Sequence, residues 1–222
     1  SGALADTLAA IGKTVKTGWI AVAGQNAADG AALAAWVKTQ DNTRKKTYKA
    51  VCYNLATAPD DMHVVNYVNE SVTYTDDRGT QDGVTYLPSL LAIFAVCNVT
   101  RGCTNYECSN LSEVVEVDDN DAALGTGKFI LFNGEDNTVR IAQGINSMTT
   151  TDGKTRTEDM KFIETVEAMD MMRDDITAVF RGTYLGNYRN TRDNQMLLLS
   201  SLNMSYFRQL MQQNILDPDF AN

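Results

Sequence analysis

Apolar and polar positions change period several times along this chain, and each change predicts an element. Gly18–Gly24, GWIAVAG, is a short apolar run closed by glycine and reads as a buried strand. In AADGAALAAWVKTQ, which follows, Ala28, Ala31, Ala32, Ala35 and Trp36 return at helical spacing, with Asp29 near the start. Tyr48–Leu55, YKAVCYNL, is a second run of strand formers. Strand, helix and strand with short links make a βαβ unit, so a parallel pair is predicted. HVVNYVNESVTYT is β-branched and aromatic enough for two short strands. GVTYLPSLLAIFAVCNV predicts a mostly buried helix from near Pro88, since proline is tolerated in a first turn.

The acidic stretch Asp118–Asp121, DDND, interrupts this pattern and marks a seam. Beyond it, Phe129–Phe132 and Thr138–Ala142 are strand-like and flank NGEDN, a hairpin loop. Ile163, Val166, Met169, Ile176 and Val179 then form one helical stripe, with Glu164, Glu167, Asp170, Arg173 and Asp174 mainly off it. The methionines there predict core packing and the carboxylates a solvated face. A last helix is expected over roughly Asn194–Gln212, turning Leu198, Leu199, Leu202, Tyr206 and Leu210 inward. The pattern defines an α/β (α+β) chain: a βαβ-containing mixed-sheet domain, residues 1–118, then a hairpin-plus-helices part, residues 119–222. No longer period repeats.

Composition narrows the function. The 222 residues, 44% hydrophobic and 21% charged, suit a folded chain that needs no disulfide staples. A net charge of −9 disfavours nucleic acid as a general partner. The longest apolar run, Tyr86–Cys97, contains a proline and is too short to span a bilayer. No secretion leader is visible, and the opening SGALAD reads as an appended remnant. Cys52, Cys97, Cys103 and Cys108 fit no zinc spacing, so reduced structural thiols are expected, and the sequons at Asn69, Asn98, Asn110 and Asn203 carry no meaning.

Candidate chemistry is thin. GTGKF, Gly125–Phe129, echoes a phosphate loop but has Ala122 and Phe129 where that loop needs Gly and Ser or Thr. VAGQNAADG has a dinucleotide-site context without its close glycine pair. His63 is the sole histidine, and no Gly-x-Ser-x-Gly elbow accompanies it. DDNDAALG lacks the ligand ladder of a calcium loop. Asp174 and Asp175 are adjacent on a helix and diverge by about 100°, so they do not face each other as an acid/base pair. No catalytic, cofactor or metal residue is assigned. The basic cluster TRKKTYK, Thr43–Lys49, and the acids Glu107, Glu113, Glu116, Asp118, Asp119 and Asp121 are either complementary docking surfaces between copies or two solvated loops.

The second half resembles the C-terminal part of contractile tail sheath proteins of myophages, phage-like elements and R-type tailocins. The resemblance rests on an ordered set: Gly127–Leu131, Arg140–Thr150, Glu167–Ile176, Tyr184–Gly186 and Asp193–Asn194. GVTYLPSLLAIFAVCNVTRGCTNYECSNLSEVVEVDD resembles, more loosely, the helix and strand joining the two parts of a sheath subunit. The resemblance implies a structural subunit and no enzyme. It implies a subtilisin-like chain path in the first domain and hexameric rings around a tail tube above a baseplate. It further implies contraction that drives the tube through a cell envelope, with assembly in the bacterial host cytoplasm. LDPDFAN ends where the family's C-terminal arm begins, so a fragment without terminal arms, monomeric in isolation, is expected. Asn187 stands where the family often has lysine, so any contact made by that lysine is in doubt here. The competing readings are an α/β hydrolase or nucleotide-binding domain, and an adhesion module with an exposed aromatic patch.

Overall fold

A computed structural model describes residues 2–97 and 99–219; the sequon Asn98 and the last three residues of LDPDFAN lie outside the described residues. By proximity the chain divides into two compact units, Ser1–Asn98 with Gly102–Val166, and Val99–Arg101 with Glu167–Asn222.

The first unit is built on a four-stranded sheet of β1 (Thr17–Ile20), β2 (Thr47–Tyr53), β3 (Val64–Tyr67) and β7 (Lys128–Phe129), parallel throughout and in that order. A parallel sheet has to be covered on both faces, and β2 shows how. Tyr48, Ala50 and Cys52 cluster with Leu33 and Val37 of α2 (Ala27–Thr39), while Val51 joins Leu87, Leu90 and Phe94 of α3 (Leu87–Val96). The alternation follows from the two-residue period of a strand. Asn26 caps α2, its Oδ1 accepting from the Asp29 amide at 2.9 Å.

The predicted βαβ pair is present, with three differences. The run Gly18–Gly24 is a strand only through Ile20 and half-exposed, because β1 is the sheet edge. The face of α2 that is buried carries Gly30, Leu33, Ala34 and Val37, whereas Ala28, Ala31, Ala32 and Ala35 are exposed. Alanines fit either side of a helix; the larger Leu33 and Val37, fully buried at about 1.5–3 kcal/mol each, decide the rotation. The opening residues from Gly2 are helical: α1 (Gly2–Thr14) buries Leu8, with Leu4 and Ile11 packed alongside.

Two smaller sheets complete this unit. β4 (Ser71–Tyr74) lies between β5 (Thr80–Asp82) and β6 (Leu111–Val114), both antiparallel to it. β8 (Leu131–Asn133) and β9 (Val139–Ile141) form the predicted hairpin, with Asn137 at φ +57 in its turn. Phe129–Phe132 is therefore not one strand. Phe129 pairs with β3 and Leu131 with β9, and the chain changes sheets at Ile130, where all three side chains are buried. Gly83 opens the 3-10 turn before α3; a Cβ there would lie 1.9 Å from the Asn69 carbonyl oxygen, so only glycine fits.

The second unit is helical. It takes the greater part of α5 (Ile163–Val179), which runs into a π turn at Phe180–Tyr184. A turn with Gly186 at φ +84 leads to α6 (Arg192–Ser201), the π segment Leu202–Phe207 and α7 (Arg208–Gln212). Thr191 caps α6 through Oγ1, and the Tyr206 hydroxyl donates to Asp175 Oδ2 at 2.8 Å. The expected stripe holds only at its start. Ile163 and Val166 are buried, Met169 and Ile176 half-buried and Val179 exposed. The methionines are not core: Met169, Met171 and Met172 are half-buried, and Asp170 is the buried residue, with Arg173 at 3.1 Å. Leu199, expected inward, is exposed.

Candidate assembly surface

The polar groups that looked chemical are engaged in structure. His63 is buried at the start of β3, with Nδ1 3.8 Å from Asp61 and 3.9 Å from Asp41. Ser147, beside it in the fold, donates its hydroxyl to the Asp61 carbonyl and accepts from the Asp61 amide. Gly127 of GTGKF holds φ +71, and a Cβ there would sit 2.8 Å from the Ser147 carbonyl oxygen. The Thr126 and Gly127 amides return to carbonyls of α4 (Asn120–Gly125), leaving no amide cradle for phosphate. Gln25, buried in the VAGQNAADG turn, accepts from the Tyr53 amide, and Asn26 takes the N-terminus of α2 for its own cap.

All four cysteines are free and buried. Desolvation pushes the Cys52 and Cys103 thiols up to about 12 and Cys108 to about 11, which keeps them unreactive. Among the described residues no group of three His, Cys, Asp or Glu could hold a metal ion, and no helix is long and apolar enough to cross a membrane.

The charged segments fare differently from one another. In Thr43–Lys49, Lys46 donates to the Gly12 carbonyl and to the Tyr48 hydroxyl, and Lys49 is buried over the Trp19 ring. Only Thr43, Arg44 and Lys45 remain fully exposed, so the cluster, open beforehand to reading as a docking surface or a solvated loop, is mostly interior. The acidic segment stays outside: Glu107, Glu113, Glu116, Asp118, Asp119 and Asp121 are all exposed. Glu107 reaches Arg140 at 3.5 Å, Glu116 accepts from Asn133, and Asp119 caps α4. Val115 among them is 49% exposed.

The second unit is the larger anomaly. Among its described residues only Asp170 and Leu210 are buried. Val179, Phe180, Leu185, Tyr188, Met196, Leu197, Leu199 and Met204 all face water, Leu185 at 62%. Phe180, Tyr184, Leu185, Tyr188 and Leu198 line a groove of 260 Å³, with Arg189 and Asn194 among its polar members. Sequence periodicity assigned apolar faces to these helices correctly in kind but had no means of showing that they stay uncovered.

A parallel sheet between two helices, a β8–β9 hairpin and a coreless helical unit define a sheath-type fold. The chain superposes on a sheath tail protein from Desulfitobacterium hafniense with TM-score 0.83, at 22% identity, over 95% of this chain and 49% of that one. The sheath tail protein of Listeria innocua gives 0.78 at 18% identity, over 95% and 49%. The anti-feeding prophage helical sheath in its contracted state gives 0.66 at 14%, over 92% and 59%.

Residues 155–222 match the family described as Phage tail sheath C-terminal domain. Over 193 residues, the chain is 27% identical to the tail sheath protein of Clostridium phage phiCD119, 85% of this chain and 51% of that protein. The resemblance to tail sheath proteins read from the sequence is matched by the family model over residues 155–222 and by the relatives in sequence and fold. The chain spans about half the length of the relatives it matches.

Proposed function

We propose that this chain is part of a contractile tail sheath subunit, a structural protein that polymerises around a tail tube and shortens to drive the tube through a cell envelope. The observation that carries the reading is the helical unit with almost no interior. A body that leaves Leu185, Tyr188, Met196 and Met204 in water gains its stability from contacts with other bodies. No bond-making is required. Work comes from two assembled arrangements of which the shorter has the better contacts, a population shift between two minima.

In the complete protein we infer six-subunit rings, a tail tube inside them and a baseplate at one end, assembled in the bacterial host cytoplasm into a tail or tailocin particle. Terminal arms that add strands to neighbouring subunits would link such a lattice, and the 222-residue chain alone stays monomeric. Light scattering and negative-stain microscopy test this on the present chain and on one extended at both ends. Tubes are expected from the extended chain and monomers from the present one. Rings or tubes from the 222 residues alone would refute the role of the arms, and failure of the extended chain to assemble with its tube protein would refute the sheath role.

A further inference from the structure

The aromatic groove of the second unit has a single charged lining residue, Arg189. Phe180–Leu198, the span of its lining residues, carries Arg181, Arg189 and Arg192 against one carboxylate, Asp193, and all four are exposed. No ion pair is formed by any of them among the described residues. Glu107–Asp121 has the opposite character, six carboxylates and no lysine or arginine. Glu113, Asp118 and Asp121 there are exposed and have no cationic partner among the described residues. Val115 sits between Glu113 and Glu116 with its backbone pinned, the amide donating to the Ser71 carbonyl at 3.0 Å and the carbonyl accepting from Asn69 Nδ2 at 3.0 Å. An exposed apolar side chain on a fixed backbone in an acidic segment is complementary to an apolar groove whose charged lining residue is Arg189 and whose span carries a net positive charge.

We propose that the groove lined by Phe180, Leu185, Tyr188 and Leu198 receives the Glu113–Asp121 segment of a second copy of this chain. Val115 enters the groove, and the carboxylates face Arg181, Arg189 and Arg192. This rests on the self-assembly reading above and adds to it a partner surface. So small a contact lies below the size of stable interfaces, about 1,000 Å², so it is transient between two free chains and effective only where a lattice holds neighbours in place.

Cross-linking reads such a contact directly. Val115→Cys in one tagged chain is mixed with Leu185→Cys in another, and a short bis-maleimide is added; the four native thiols are buried and inert. Val15→Cys, equally exposed elsewhere, is the control partner. A heterodimer is expected from the 115/185 pair and not from the 15/185 pair. It should disappear in about 1 M salt, where the screening length is about 3 Å. Arg189→Glu with Arg192→Glu should abolish it, and Asp118→Lys with Asp121→Lys in the opposite chain should restore it. A 115/185 yield no greater than the control, or one indifferent to charge reversal, overturns the proposal. So does capture of Leu185→Cys by a tube protein in preference to the second copy. Tube formation by the extended chain is scored separately, so loss of this contact with tubes intact refutes the contact alone.

Discussion

Replacing Asp60 by asparagine removes one negative charge from a loop clamp without altering its shape. Asp60 holds φ +48, a conformation that asparagine also tolerates. Its Oδ1 accepts from the Thr149 and Thr150 amides at 2.8 and 2.9 Å and from Arg156 at 3.0 Å, while Oδ2 accepts from the other arm of Arg156 at 3.2 Å. Hydrogen bonds to a charged group contribute about 1.5–3 kcal/mol each when well buried. Asp60 and Arg156 are 30% and 35% exposed, which places the clamp near the low end of that range. Asn keeps one acceptor for the amides and loses the pairing, so Asp60→Asn should cost about 2 kcal/mol, and Asp60→Ala about 3. Trp19 and Trp36 both lie in the first unit, so urea unfolding followed by tryptophan fluorescence reports on this clamp. With a urea slope of about 2 kcal/mol per molar, the asparagine variant should unfold about 1 M earlier. The pH dependence adds a second check. Burial alone would raise the Asp60 carboxyl, but the Thr150 and Thr149 amides and Arg156 outweigh it and hold the group well below the usual carboxylate range. A depressed folded value means that the stabilisation is complete above the unfolded pKa, about 3.9, and is lost as pH falls below it. The gap between wild type and Asp60→Asn should therefore be full at neutral pH and close progressively below about pH 4. Equal urea midpoints at neutral pH would refute the clamp.

Phe94→Ala should be among the costliest core changes, about 3–5 kcal/mol, since its ring meets Phe129 at 5.4 Å and Trp19 at 4.7 Å; the thermal midpoint and Trp19 emission would both move. Gly127→Ala combines a left-handed φ with a 2.8 Å clash against the Ser147 backbone, and should lower the soluble yield and the melting temperature where Gly125→Ala, in open space, does not. A disulfide reagent at neutral pH should label none of the four thiols until urea unfolds the chain, after which all four react. Leu185→Ser and Met204→Ser should leave the unfolding free energy within about 0.5 kcal/mol of wild type, because both side chains are already in water.

What the amino-acid order determined alone is local and periodic. The β1–α2–β2 unit, the β3 and β4 strands, the proline-started α3, the β8–β9 hairpin and the two long helical stretches are all present, although β1 stops at Ile20 and only the end of the run 129–132 belongs to the hairpin. A short-range burial rhythm suffices to specify such elements. Ordered sheath-like motifs in the second half likewise pointed to the family without any geometry.

The tertiary structure decided what depends on partners far along the chain. Asp60 and Arg156 are 96 positions apart, so no local pattern links them. The side of α2 that is buried was ambiguous because alanine is at home on either face, and the sheet had to select Leu33 and Val37. The run 129–132 is uniformly apolar, so its division between two sheets at Ile130 came from strand pairing, a long-range choice. Lys46 and Lys49 look like surface charge in sequence and are drawn inward by Gly12 and Trp19. The half-wet methionines of α5 carry the same lesson: periodicity tells which side of a helix is apolar, and only the packed neighbours determine whether that side is covered.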